Sequence, residues 1–163
     1  MEGESLAMTL PKSVLLDSSV VIKWFRESEI WREASVFLRQ EYLNGRLKIY
    51  VPSLLILEIA NVLRYNPDLT SFQVQEALRS LYDLQLKIVD LSQEAIIKAI
   101  DLAYSWDLTI YDATFVATAL NLNIPFITAD EKLIQKLSCY SQVHHLSKFE
   151  TQSSESSSEA GER

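Results

Sequence analysis

The chain has 163 residues, 48% apolar and 23% charged, with a formal net charge of −7. This is about one domain's length, in the composition of a globular protein with a core, which excludes a wholly disordered chain or a small disulfide scaffold. Its three glycines are Gly3, Gly45 and Gly161, so the clustered-glycine loops that cradle phosphates are missing and an ordinary nucleotide-triphosphate or NAD enzyme is not expected.

Residues 1–12 read as a loose extension ending at Pro11. Ser13–Leu16 is a short apolar run, expected as a buried strand. Ser18 to Phe25 reads as helix, and Ile30 to Asn44 as a second helix stopped by Gly45. Lys48–Val51 is a strand closed by Pro52. Ser53 to Tyr65 is a helix ended by Asn66-Pro67, and Thr70 opens the next with Gln73 three residues on, the pattern of a capping box. Leu86–Leu91 is a strand. Ser92 caps a helix whose apolar positions are Ile96, Ile97, Ile100 and Ala103. Ile110 to Leu122 is another helix, followed by a strand at Pro125–Thr128, a helix at Glu131–Leu137 and a last strand at Val143–Leu146. Residues 150–163 are rich in Ser and Glu and read as a solvated tail. Strands alternating with helices predict an α/β fold with a parallel sheet and helices on both faces. The body is then one domain over 13–149.

Several chemistries drop out. Cys139 is the single cysteine, so neither an internal disulfide nor a cysteine zinc site is available. The only histidines, His144 and His145, adjoin each other, and Cys139 reads as a half-buried apolar residue rather than a nucleophile. The acidic start lacks the basic region of a secretory signal. No apolar run approaches the ~18 residues of a membrane span, so the cytoplasm is expected. More than half of the net negative charge falls in residues 1–12 and 150–163. The acidity argues against coating nucleic acid by bulk charge, but leaves room for a local site that recruits cations.

The informative residues are carboxylates. Asp17 directly follows the first strand and Asp130 the fourth, where sites lie in open α/β sheets. Asp112 falls in the first turn of its helix, three residues after Thr109. Each alone has an ordinary explanation as a helix cap or a charge at a helix N-terminus; Thr128 with Glu131 also fits a capping box. Glu58 differs, because its helix, Leu54-Leu55-Ile56-Leu57-Glu58-Ile59-Ala60-Asn61-Val62-Leu63, is apolar almost all round and reads as buried. A carboxylate there needs a partner or a metal; Arg64 and Arg26 are the alternative partners. Asn61 shares its face, three residues on. Two carboxylates ~4 Å apart repel by about 4 kcal/mol at an effective dielectric near 20, so four together require cations. Hard oxygen donors in that number suit Mg²⁺ or Mn²⁺.

These residues carry a resemblance. The segments Leu16-Asp17-Ser18-Ser19-Val20-Val21-Ile22, Glu58-Ile59-Ala60-Asn61-Val62-Leu63, Leu108-Thr109-Ile110-Tyr111-Asp112-Ala113-Thr114-Phe115 and Ile127-Thr128-Ala129-Asp130-Glu131-Lys132-Leu133 together resemble the PIN-domain ribonucleases, most closely the VapC toxins of type II toxin–antitoxin systems. The likeness spans about residues 13–149. It implies a three-layer α/β/α sandwich with the acids at the carboxyl edge of the sheet. It also implies Mg²⁺- or Mn²⁺-dependent RNA cleavage leaving 5′-phosphate and 3′-hydroxyl ends. Carried over, the resemblance implies that Asp17 and Asp112 are metal ligands, that Asp130 binds metal directly or through water, that Glu58 orients water or holds a second ion, that Thr128, beside the last acid, has a supporting role, and that Asn61 supports Glu58. A cognate antitoxin and a homodimer are implied as well. Lys23, Arg26, Arg64 and Lys132 are the candidate RNA-binding cations. Trp24, Phe25, Trp31 and Trp106 are expected in the core or an interface. The competing reading is a catalytically silent module that binds RNA or a partner protein. A phospho-accepting receiver fits poorly, because Leu15-Leu16 stands where paired acids should precede Asp17.

Overall fold

A computed structural model describes residues 9–150. Residues 1–8 and 151–163, which hold most of the expected extension and tail, lie outside the described residues. Five strands form one sheet in the order β3-β2-β1-β4-β5, every pair parallel. They are β1 (Ser13–Leu16), β2 (Lys48–Pro52), β3 (Lys87–Val89), β4 (Phe126–Thr128) and β5 (Val143–His145). The helices are α1 (Ser18–Val21), α2 (Arg32–Leu43), α3 (Leu54–Arg64), α4 (Ser71–Asp83), α5 (Gln93–Trp106), α6 (Ile110–Leu122) and α7 (Glu131–Lys136). With the sheet they make a three-layer α/β/α sandwich.

The central strand explains the topology. Val14, Leu15 and Leu16 are fully buried, as a strand covered on both faces must be. β1 pairs with β2 on one side and β4 on the other. The chain therefore leaves β1 in one direction for β2 and β3, and later returns on the opposite side for β4 and β5. That reversal opens a crevice beyond the carboxyl ends of β1 and β4. The Asp17 N–H donates to the Ile127 carbonyl at 3.0 Å, which fixes the first residue of the crevice.

Helix α6 lies over the middle of the sheet and is covered by α5. All seven residues from Ala113 to Ala119 are buried. The two hydroxyls among them donate to the preceding turn, Thr114 to the Ile110 carbonyl and Thr118 to the Thr114 carbonyl, both at 2.7 Å, so no polar atom is stranded. Helix α5 corrects an expectation. It buries Ala95, Ala99, Leu102 and Ala103, while Ile97 and Ile100 are 53% and 41% exposed. Close approach to α6 selects the small side chains, and the large isoleucines are turned outward.

Other boundaries shift for local reasons. The helix expected over Ser18–Phe25 is one α-turn followed by a 3₁₀ turn, Ile22–Phe25. Helix α2 starts at Arg32 because Trp31 is left-handed, φ 62°. Gly45 (φ +74°) ends it, as expected. The Thr70–Gln73 capping box is present. Helix α3 is not buried all round: Leu55, Ile59 and Leu63 face the core, whereas Leu57 is 70% exposed. Cys139 sits exposed on the turn after α7, not half-buried. Trp24 is buried, and Phe25, Trp31 and Trp106 pack against the core. Leu10 also packs there, and the Lys12 carbonyl accepts from Lys48 N–H at 2.9 Å. Among the described residues no helix is long and apolar enough to cross a membrane.

Leu15→Ala, at the centre of this core, is expected to destabilise by about 2–5 kcal/mol, against about 1 kcal/mol for Thr70→Ala at the exposed cap. Urea denaturation midpoints at unchanged slope measure both; equal effects would contradict the placement of β1.

Candidate active site

Asp17 is held at the crevice by a directional network. As N-cap of α1, its Oδ1 accepts the Ser18 N–H at 2.9 Å. Its Oδ2 accepts the Ser19 hydroxyl at 2.6 Å and the Thr128 hydroxyl at 2.7 Å. Each hydroxyl then accepts from the loop after β4: Ser19 Oγ from Ala129 N–H and Thr128 Oγ1 from Asp130 N–H, both at 3.0 Å. A hydroxyl has one proton, and here both are committed to Asp17. The ends of β1 and β4 are thus joined through one carboxylate. Thr128, which is fully buried, serves Asp17 rather than capping α7; the cap is Asp130.

The other acids arrive on three helices. Glu58, on α3, accepts the Ser18 hydroxyl on Oε2 at 2.5 Å. Neither arginine considered as its partner fills that role: Arg26 pairs with Glu29, and Arg64 lies over the Tyr65 ring at 5.5 Å. Asp112 opens α6, whose cap is Thr109, with Asp112 N–H donating to Thr109 Oγ1 at 3.0 Å. Asp130 accepts Lys132 N–H and Leu133 N–H on Oδ1 at 2.9 and 3.2 Å, and among the described residues Oδ2 has no protein donor. Asp17, Glu58, Asp112 and Asp130 line one cleft of ≈ 420 Å³, with Ser18, Ser19, Arg26 and Asn61 on its walls. All four expected acids therefore meet. Ser18 and Ser19 are not among the site residues expected from the sequence, although two hydroxyls directly after a strand-end aspartate are the available signal for this network.

The electrostatics follow from this crowding. Burial pushes Asp17 above the usual carboxylate range, further than its hydroxyl donors pull it down, and the Asp112 charge adds to the rise. Burial also raises Glu58, with Asp17 and Asp112 adding to it against the Ser18 hydrogen bond. Asp112 is raised by burial and then by Asp130, partly offset by Thr109 and Lys136. The cleft therefore holds more negative charge than its own cations neutralise, and its donors are hard oxygens. That fits Mg²⁺ or Mn²⁺. Among the described residues no three acidic, histidine or cysteine groups converge as a closed ligand set; Asp17 and Asp130 spend oxygens on hydrogen bonds. A cation here would complete its shell with water, as Mg²⁺ commonly does.

A folded-state pKa above the unfolded one means that the fold holds extra protons, so stability falls as pH rises from the ordinary carboxylate range through the raised values. Without divalent ions, Asp112→Asn is expected to raise the melting temperature by a few degrees at about pH 7 and to change little at about pH 3, read by circular dichroism. Added Mn²⁺ should stabilise the parent more than the variant. A lower melting temperature at about pH 7 for the variant would contradict this account.

The comparisons agree with the geometry. The model of the PIN domain matches residues 14–137. No curated protein matches the chain. Among solved structures, a toxin–antitoxin complex from Klebsiella pneumoniae is similar at 15% identity and TM-score 0.61, over 82% of this chain and 97% of that one. VapBC-1 from nontypeable Haemophilus influenzae matches at 13% identity and TM-score 0.61, over 83% and 98%. VapC20 from Mycobacterium tuberculosis, a sarcin-ricin loop cleaving toxin, matches at 10% identity and TM-score 0.60, over 75% and 93%. These identities speak for the fold. With the family model spanning most of the body and the four acids meeting at the switch point of the sheet, the chain belongs to the PIN domain family.

Proposed function

We propose that this chain is a metal-dependent endoribonuclease and the toxin of a toxin–antitoxin pair, acting in the cytoplasm. The observation that carries the reading is the meeting of Asp17, Glu58, Asp112 and Asp130 in one cleft, where burial raises the pKa values of Asp17, Glu58 and Asp112 and neighbouring acids add to the rise. Asp17, Asp112, Asp130 and Glu58 are the proposed holders of Mg²⁺ or Mn²⁺. Such an ion supplies neutralisation of phosphoryl charge and acidification of water. Ser19 and Thr128 fix Asp17, so its position does not depend on the ion. Ser18 occupies Glu58 Oε2, which orients the side chain and leaves Oε1 to take a proton from water; a raised pKa brings it nearer the range where that transfer is effective. Thr128 and Asn61 are support residues in this reading, Thr128 through Asp17 and Asn61 on the cleft wall beside Glu58. The products expected are 5′-phosphate and 3′-hydroxyl ends.

An antitoxin and a second copy of the chain are the proposed protein partners. Their support is the set of similar structures, which includes toxin–antitoxin complexes, and the apolar surface exposed among the described residues. Leu57, Tyr65 and Phe72 on and after α3 are 70%, 75% and 68% exposed, and Tyr104 on α5 is 88% exposed. Exposed apolar area of this kind marks interaction surfaces.

A second reading, a silent module binding RNA or a protein, is favoured by one observation, the lack of a closed ligand set among the described residues. Incubating the purified chain with RNA in Mg²⁺, Mn²⁺ or EDTA separates the two. Metal-dependent cuts bearing 5′-phosphates, reduced at least about 100-fold in Asp112→Asn, are expected. Equal cutting by the variant, or cuts in EDTA with cyclic phosphates, would contradict the proposal.

A further inference from the structure

RNA needs positive charge at a cleft lined by acids, and four cations lie near those acids in sequence. Only one of them, Arg26, lines the cleft. Lys23 is buried, its side chain 6% exposed, and gives its ammonium to Glu29 Oε2 at 3.2 Å. Arg64 is stacked on Tyr65. Arg26 Nη1 donates to Glu29 Oε1 at 3.1 Å and keeps 37% of its side chain exposed. Glu29 thus holds two cations at once, one on each oxygen. Burial would push its carboxyl up, but the hydrogen bonds from Arg26 and Lys23 outweigh that and keep it below the usual range, ionised.

The arrangement has a directional logic. A buried ammonium without a partner is costly, so Lys23 anchors Glu29, and Glu29 Oε1 is left for the guanidinium. An untethered arginine on the wall of a four-carboxylate cleft would be drawn in by the attraction of opposite charges. It would then compete with cations for the acids. Tethered by one N–H, Arg26 retains four donors in the planar fork that matches a phosphate.

We propose that Arg26 is the phosphate-binding residue of the cleft, contacting an RNA phosphodiester next to the one presented to the acids, and that Glu29, anchored by Lys23, is the positioning residue that holds the guanidinium on the wall and out of the carboxylate cluster. The inference rests on the nuclease reading and adds to it the group that binds substrate.

The test is fluorescence anisotropy of a labelled 20-nucleotide single-stranded RNA in Ca²⁺ buffer over a salt series, with calorimetric titration of Mn²⁺ in parallel. Arg26→Gln is expected to weaken RNA binding about tenfold and to lower the slope of log affinity on log salt by about 0.7, with Mn²⁺ affinity unchanged. Arg26→Lys should recover the slope and only part of the affinity. Glu29→Gln should weaken both RNA and Mn²⁺ binding, and Arg26→Gln added to it should restore Mn²⁺ binding alone. RNA affinity and salt slope unchanged in Arg26→Gln would overturn the proposal, as would Mn²⁺ affinity unchanged in a folded Glu29→Gln. If Glu29→Gln does not fold, the two Arg26 variants, which leave the Lys23–Glu29 pair intact, still decide the phosphate contact. A parent chain that neither binds nor cuts RNA would sink the nuclease reading and this inference with it. A parent that cuts RNA beside an Arg26→Gln variant with full affinity would sink only the inference.

Discussion

The structure turns on a buried carboxylate with both oxygens hydrogen-bonded. Asp17 ends the central strand, caps α1 and receives the hydroxyl protons of Ser19 and Thr128. Those hydroxyls are in turn held by the backbone of the loop after β4. The carboxyl ends of β1 and β4, separated by more than 100 residues of chain, are therefore locked together at the place where the sheet reverses its winding. Burial of this group raises its pKa, so the fold carries an electrostatic strain at the point where its topology provides a crevice. A site that keeps such a charge is one where a cation has something to gain.

The remaining acids are arranged around that constraint. Glu58 is tied to the same short helix through Ser18. Asp112 and Asp130 sit at the starts of α6 and α7. Three of the four acids thus lie at helix N-termini, where backbone N–H groups and the helix dipole favour negative charge. This lowers the free energy of gathering them and also explains why each alone passes for an ordinary cap. For Asp17 and Asp130 both descriptions hold at once: one oxygen caps a helix, and the carboxylate still faces the cleft.

Much of this was legible in the sequence because it rests on local patterns. The apolar run Ser13–Leu16, the capping box at Thr70 and the alternation of strands and helices gave the parallel α/β architecture. Asp17 and Asp130 could be placed because strand ends can be read from apolar runs. What the sequence hid was decided by tertiary packing. Ile97 and Ile100 look like core residues, but α5 approaches α6 through alanines. Leu57 makes α3 look buried all round, although its outer face is uncovered in the described residues. The role of Thr128 was equally hidden, since a hydroxyl at the end of a strand and three before a glutamate fits a cap, and only the approach of β1 shows that its proton belongs to Asp17. The Glu29 bridge was invisible for the same reason: an exposed-looking glutamate becomes a positioning group only once Lys23 is seen to be buried.

The central claim is that the four carboxylates form a cation site whose charge the fold itself leaves uncompensated. Calorimetric titration of Mn²⁺ into the full chain, repeated in buffers of different ionisation enthalpy and compared with Asp17→Asn, tests it directly. If the acids hold extra protons, binding must release them; the account predicts a saturable site with proton release that shrinks as pH rises, and at least about tenfold weaker binding in the variant. No measurable Mn²⁺ binding, or the same binding and proton release in Asp17→Asn, would contradict it.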